Sequence, residues 1–159
     1  MPNVSNVKTK FFGAVDATDA DGISVSASIG SATTLTLGGT LTSGGSYTSG
    51  DNIGQIITIT SAADDSSITF TVVGTNAVGD ALTEVVTGAD TTVASSSGYF
   101  NTVTSITTSA ATAGAVTAGV LGSSTAGEMG TGTVFAGRTR IRGLQGLSAA
   151  TAGNLLFKN

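Results

Sequence analysis

Carboxylates are the main candidates for catalysis in this sequence, because it contains no histidine and no cysteine. Two pairs stand close together, Asp64 with Asp65 and Asp80 with Glu84. Paired carboxylates can hydrolyse glycosidic bonds. Asp64 and Asp65 lie in a turn-like stretch, however, where aspartate is favoured for its local hydrogen bonds. We therefore interpret them as turn residues and predict that the protein is not an enzyme, since Ser-His-Asp and Cys-His machinery is excluded.

A glycine pair has the spacing of a phosphate-binding loop. Gly74 and Gly79 are followed by Asp80 and Ala81, where such a loop requires Lys and then Ser or Thr. A carboxylate at the lysine position would repel phosphate. We therefore expect no nucleotide site, no catalytic residue and no cofactor.

Three aspartates, Asp16, Asp19 and Asp21, precede Gly22 with the alternation of half a Ca²⁺-binding loop. If Gly22 is the loop glycine, Ala17 occupies the first ligand position, and no Glu stands at the twelfth. We predict an acidic surface loop without a metal, and weak Ca²⁺ binding is the alternative.

Three arginines alternate near the C-terminal end of the sequence. On a strand, Arg138, Arg140 and Arg142 project from one face and Thr139 and Ile141 from the other. Such a ladder can pair with carboxylates or phosphates bidentately, or can be a solvated strand face. We favour pairing with a neighbouring subunit over a solvated face and over nucleic acid.

The charges are sorted along the chain. All six basic residues lie near its ends, and the stretch from Phe11 to Gly137 has none of them but holds all ten acids. Complementary patches of this kind set the register between subunits. We therefore predict a subunit of a repeating assembly, with these contact residues: Lys8, Lys10, Phe11, Phe12, Arg138, Arg140 and Arg142.

Composition excludes several classes of protein. Without cysteine there is no disulfide framework. Charged residues make up 10%, against roughly 25% in ordinary soluble domains, so we expect partners to cover much of the surface. The net charge of -4 argues against nucleic acid as a partner. Residues 1–10 lack the apolar core of a secretory signal, and no apolar run reaches the ~18 residues of a membrane helix.

Short β-branched runs separated by turn residues predict an all-β fold, an antiparallel β-sandwich or a jelly-roll-like barrel. We divide the chain into an N-terminal arm with one strand (1–31), a sandwich body (32–122), and a linker with C-terminal strands (123–159). The predicted strands are Ile23–Ile29, Thr33–Leu37, Gln55–Ser61, Ser67–Gly74, Ala81–Thr87, Tyr99–Thr108, Ala115–Leu121, Thr133–Leu144 and Asn154–Lys158. Val103 and Ile106 break the alternation of their strand, which predicts a bulge there or burial of both faces.

Four segments together resemble a β-rich module of tailed-bacteriophage virion proteins. They are NIGQIITIT (52–60), ITFTVVGT (68–75), LTEVVTG (82–88) and YFNTVTSI (99–106). The segments TRIRGL (139–144) and NLLFK (154–158) are similar to the ends of small structural proteins of marine phages.

The resemblance implies a virion component, assembled in the host cytoplasm. We expect a capsid decoration (cement) protein that binds the major capsid protein or other virion proteins as a homo-oligomer, with a trimer as the first expectation. A tail, knob or fibre component is the alternative. A surface adhesin or carbohydrate-binding module is less favoured, because the chain has no Trp and two Tyr to stack on sugars.

Overall fold

The computed structural model describes residues 16–50 and 53–122, together with the two-residue strand at 127–128. These residues form ten strands and no helix. The all-β prediction is therefore confirmed for the described part of the chain. The strands are β1 (Asp19–Ser28), β2 (Thr42–Ser43), β3 (Ser46–Thr48), β4 (Gly54–Ser61), β5 (Thr69–Thr75), β6 (Ala81–Thr87), β7 (Val93–Phe100), β8 (Thr102–Thr108), β9 (Ala115–Val120) and β10 (Gly127–Glu128).

The strands build two antiparallel sheets of five strands each. Sheet 1 has the order β1-β9-β4-β10, with β7 also paired to β4, and sheet 2 has the order β2-β3-β8-β5-β6. The strand of the predicted N-terminal arm, β1, therefore lies in the same sheet as β9. Side chains from both sheets meet in one hydrophobic core, which gives a sandwich-like architecture.

Period-two alternation explains why each sheet has a buried and an outer face. In β5, Phe70 and Val72 are fully buried, whereas Thr69, Thr71 and Val73 remain partly exposed. Successive side chains of a strand point to opposite faces, so the apolar residues of one parity form the core. In β4 of sheet 1, likewise, side chains of one parity point into the core, among them Ile57 and Ile59.

The chain passes from one sheet to the other at Asn101. This residue separates β7 in sheet 1 from β8 in sheet 2, so the single strand predicted for Tyr99–Thr108 is wrong. The Asn101 amide donates to the Thr75 carbonyl at 2.7 Å, and its carbonyl accepts from the Ser49 amide at 2.8 Å. These two bonds take the place of the strand-to-strand hydrogen bonds that a continuous strand over Tyr99–Thr108 would make at this position.

The bulge predicted beside Val103 is present in β8. Val73 pairs with Ser105, but the next residue of β5, Gly74, pairs with Val103, so Thr104 is the extra residue. The extra residue restores the inward parity, and both Val103 and Ile106 are fully buried. This prediction is confirmed.

A further predicted strand is wrong, and one hairpin of the structure has no counterpart among the predictions. Thr33–Leu37 is not a strand, because it makes one isolated bridge, from Thr34 to Thr107. The hairpin β2–β3 was not predicted. Its turn consists of Gly44 and Gly45, which both have positive φ, at 60° and 79°. Positive φ at both positions is the conformation of a two-residue hairpin turn. The predicted strands Thr133–Leu144 and Asn154–Lys158 lie outside the described residues.

Candidate interaction surfaces

The described part of the chain is an acidic body. Eight of the ten acidic residues lie there with their side chains, all except Asp51 and Glu128, and no Lys, Arg or His is among the described residues. The seven predicted contact residues, Lys8, Lys10, Phe11, Phe12, Arg138, Arg140 and Arg142, lie outside the described residues. Their contacts therefore stay predictions.

Both segments that carry the basic residues continue from the same end of the sandwich. Asp19 of β1 pairs with Val120 of β9, and the Gly122 amide donates to the Thr18 hydroxyl at 3.0 Å. β10 pairs with Gln55 at the beginning of β4, next to the same end. We call this the terminal end. The opposite end, formed by residues 28–34, 61–68, 87–93 and 108–115, is the distal end.

Two carboxylates stand side by side at the distal end. Asp64 and Asp90 form an antiparallel bridge. The Asp65 amide donates to the Ala89 carbonyl at 3.0 Å, and the Thr91 amide donates to the Ala63 carbonyl at 3.2 Å. Flanking bonds of this kind mark the close, non-hydrogen-bonded type of pair, whose side chains share one face. Like charges placed opposite each other in this way repel.

Asp64 also shapes the turn that follows it. Its carboxylate accepts hydrogen bonds from the Ser66 hydroxyl at 2.6 Å and from the Ser66 amide at 3.0 Å. These bonds favour the ionised form and hold the pKa of Asp64 below its ordinary value. The turn interpretation of this residue thus has a direct structural basis.

Asp65 points the other way and is fully buried. One carboxylate oxygen accepts from the Ala113 amide at 2.7 Å, which ties two distal loops together. The second oxygen, Oδ2, is buried and has no hydrogen-bond partner. No basic side chain is among the described residues to pair with it.

The three aspartates of the acidic loop are used separately. Asp16 accepts a hydrogen bond from the Tyr47 hydroxyl at 3.0 Å. Asp19 accepts from the Thr40 hydroxyl at 2.8 Å, which lowers the pKa of Asp19, and Asp21 is exposed. Within the described ranges, no group of three or more acidic side chains is arranged to hold a metal ion.

Tyr47 links this loop to the core. Its side chain is fully buried, and burial together with the neighbouring Asp16 charge raises the pKa of the Tyr47 hydroxyl. No local pattern predicts the Asp16–Tyr47 contact, because 31 positions separate the two residues.

The edges of the two sheets are joined by side-chain and backbone bonds. On one side, the Glu84 carboxylate of β6 accepts from the Ser97 and Gly98 amides of β7, at 2.6 and 2.8 Å. On the other side, the Gly39 and Leu41 amides donate to carbonyls of β1, at 3.1 and 2.8 Å. These bonds occupy edge groups that are otherwise open to pairing with another chain.

The outer face of sheet 2 is uncharged and rich in threonine. Its residues alternate with the core residues of β5, β6 and β8 and lie in cross-strand rows. We call it the threonine face, and it consists of Thr69, Thr71, Val73, Thr75, Ala81, Thr83, Val85, Thr87, Thr102, Ser105 and Thr107. Val85 is 59% exposed, the highest value among the large hydrophobic residues described.

Several hydroxyl groups of the threonine face and its rim already have partners. The hydroxyls of Thr75 and Thr102 are 2.8 Å apart, and those of Thr34 and Thr107 are 3.1 Å apart. The Thr104 hydroxyl donates to the Val73 carbonyl at 3.2 Å. Hydroxyls paired in this way lose less on removal from water than unpaired ones do.

The outer face of sheet 1 is less open at its centre. Thr58 lies on the outer side of β4 but is only 5% exposed, and the hydroxyl of Thr60 is buried. Val93 and Ser95 of β7 lie toward its edge and are exposed. This face therefore offers fewer accessible groups at its centre than the threonine face.

No protein-family model, curated protein or solved structure matches the chain. The described residues contain no helix long and apolar enough to cross a membrane. The fold and its surfaces therefore define the class: an all-β, sandwich-like protein with an acidic body.

Proposed function

We propose that this protein is a non-enzymatic structural component of a bacteriophage virion, and specifically a head decoration (cement) protein. In this role it binds across adjacent capsid subunits, in contact with the major capsid protein, and forms homo-oligomers. It neither binds nucleic acid nor enters a membrane.

One observation carries the proposal: the distribution of charge over the fold. The described body has eight acidic side chains and no basic one, and the six basic residues belong to segments that continue from its terminal end. A separation of this kind favours contacts between basic segments and the acidic bodies of neighbouring subunits. The low content of charged residues supports the same function, because a surface with few charges is typical of a protein that partners cover.

The described carboxylates support a structural function rather than a catalytic one. Asp64 and Glu84 accept hydrogen bonds from neighbouring backbone amides, and Asp65 joins two loops. Each of these contacts stabilises the fold. The resemblance of roughly residues 50–122 to phage virion modules supports the virion as the location of the protein.

Copy number tests the proposal against its alternative. In particles of the phage that encodes this chain, quantitative mass spectrometry relative to the major capsid protein should give hundreds of copies for a decoration protein. A few to dozens of copies would indicate a tail, knob or fibre component instead. Absence of the chain from purified particles would overturn both.

A further inference from the structure

We propose that the threonine face is a self-association surface, through which two copies of this chain pack face to face. Whether the two copies lie parallel or antiparallel rests on the proposed function, because that choice depends on basic segments that contact neighbouring subunits. The location of the interface on the threonine face does not depend on that function.

Charge selects this surface. Every described copy carries eight acidic side chains, so two bodies repel each other wherever carboxylates meet. Asp64, Asp65 and Asp90 lie at the distal end, and Asp16, Asp19 and Asp80 lie toward the terminal end. The threonine face contains none of them. Two such faces can therefore meet without burying an unpaired charge.

The size of the face suits a specific contact. With its rim, the face has four neighbouring columns: β6, β5, β8 and a fourth that β3 and the Thr34 bridge form together along β8. Columns spaced ~4.8 Å apart and ~23 Å long give roughly 450 Å² of flat projection per copy. Side-chain relief adds to this area. The pair then buries about 1,000 Å², which is the lower range for specific protein–protein interfaces.

Val73 and Val85 supply apolar contacts within this polar face. Val73 pairs with Ser105 near the middle of the sheet, and Val85 pairs with Thr71 beside it. Both valines are accessible, Val85 to 59%. Their burial against a second copy provides the hydrophobic gain that hydroxyl contacts alone lack.

The charges at the two ends also set the direction of packing. If the copies lie antiparallel, the terminal end of each lies beside the distal end of the other. The basic segments, which continue from sheet 1 at residues 16 and 128, then start at the same end of the pair as the partner's Asp64 and Asp90. A parallel arrangement would place the two Asp64–Asp90 pairs at one end of the pair and all the basic segments at the other. We therefore expect antiparallel pairs related by a two-fold axis, where the sequence alone suggested a trimer.

Sedimentation equilibrium of the full chain tests this interface. Val85→Glu and Ser105→Glu place a charge on the threonine face, and Val93→Glu and Ser95→Glu make the same changes on the outer face of sheet 1. We expect the wild type to dimerise below about 0.5 mM, and the two threonine-face variants to dimerise at least ~10-fold more weakly, because like charges then meet in the contact. Both controls should dimerise as the wild type does.

Three results overturn the proposal: a wild type that stays monomeric at that concentration, a dimer that tolerates both threonine-face variants, and a dimer that the controls weaken equally. Circular dichroism checks that each variant is folded. If a glutamate variant is unfolded, cross-linking replaces it. Ser105→Cys introduces the first thiol of this chain and should cross-link between copies with a short bis-maleimide, whereas Ser95→Cys should not.

A triple variant, Arg138→Gln, Arg140→Gln and Arg142→Gln, separates this inference from the proposed function. If it dimerises as the wild type does while Val85→Glu does not, the interface stands and the antiparallel charge pairing is wrong. If dimers form through the threonine face but the chain is absent from virions, the proposed function fails and the interface remains.

Discussion

Glu84 and Gly98 connect the two sheets at their shared edge. The Glu84 carboxylate accepts a hydrogen bond from the Gly98 amide at 2.8 Å, and a second from the Ser97 amide at 2.6 Å. Both amides lie where the pairing of β7 with β4 shifts register, between Ile56 and Thr58 of β4. Amides in such a bulge lack ladder partners, and the carboxylate supplies them.

Replacement of Glu84 by Gln therefore destabilises the fold. The amide group of Gln can accept from one backbone amide but presents its NH₂ to the other, so one bond is lost and two donors face each other. We expect the free energy of unfolding to fall by about 1–3 kcal/mol, measured by urea denaturation. Asp80→Asn removes the same charge from an exposed turn residue and should change it by less than ~0.5 kcal/mol. Equal effects of the two substitutions would mean that the Glu84 bonds add no stability.

Asp65 provides a second test, because its carboxyl group is buried without a basic partner among the described residues. Asp65→Asn keeps an oxygen for the Ala113 amide and cannot carry a charge, so we expect unchanged or increased stability. Asp65→Ala leaves that amide unpaired and should lower the free energy of unfolding by about 1–3 kcal/mol. If Asn and Ala are equally destabilising, the hydrogen bond from the Ala113 amide does not account for the contribution of Asp65 to stability.

Tyr47 predicts a pH dependence at the alkaline end. Burial, and then the Asp16 charge, raise the pKa of Tyr47, while in the unfolded chain it lies near 10. Below about pH 10 both states keep the proton and the stabilisation is complete. Above it the unfolded state ionises first, so stability falls as the pH rises. Tyr47→Phe lacks this titration.

Urea midpoints measured between about pH 8 and 11 check this expectation. The wild type should lose more stability over that range than Tyr47→Phe does. At about pH 8 the variant should be less stable by roughly 1–2 kcal/mol, because it lacks the hydrogen bond to Asp16. Parallel curves for the two proteins would contradict the assignment.

The sequence predicted much of the sandwich, because its strands follow period-two alternation. Ala81–Thr87 was predicted with the bounds that the structure has, and the predicted strands Gln55–Ser61 and Ala115–Leu121 differ from β4 and β9 by one residue at one end. The parity break between Val103 and Ile106 located a bulge. Each of these features depends on neighbours in the sequence, which is why the pattern reveals them.

Features that depend on distant residues were not predicted. β7 begins Val-Ala-Ser-Ser-Ser-Gly, a stretch of weak strand propensity, and its pairing with β4 and the Glu84 bonds hold it in place. The change of sheet at Asn101 has no local signal either. The Gly44-Gly45 turn did have one, since two glycines between short β-prone runs indicate a tight hairpin. The threonine face was not predicted either, because the cross-strand register that places its rows side by side depends on residues far apart in the sequence.

Deletion of residues 1–12 tests the N-terminal contacts. This segment contains Lys8, Lys10, Phe11 and Phe12, and none of the described strands includes any of it. We expect the truncated chain to keep the β-sheet circular dichroism spectrum of the full chain and to bind its particle more weakly. Unchanged particle binding would mean that these four residues have no contact role.

The salt dependence of subunit assembly tests the central claim most directly, namely that basic segments contact the acidic bodies of neighbouring subunits. Between ~0.05 and 0.5 M salt the Debye length shortens from roughly 14 to 4 Å, so assembly of the wild type should weaken over that range. The variant with Arg138, Arg140 and Arg142 all replaced by Gln should assemble more weakly at low salt and lose most of the salt response. Wild type and variant assembling alike at every salt concentration would contradict the claim.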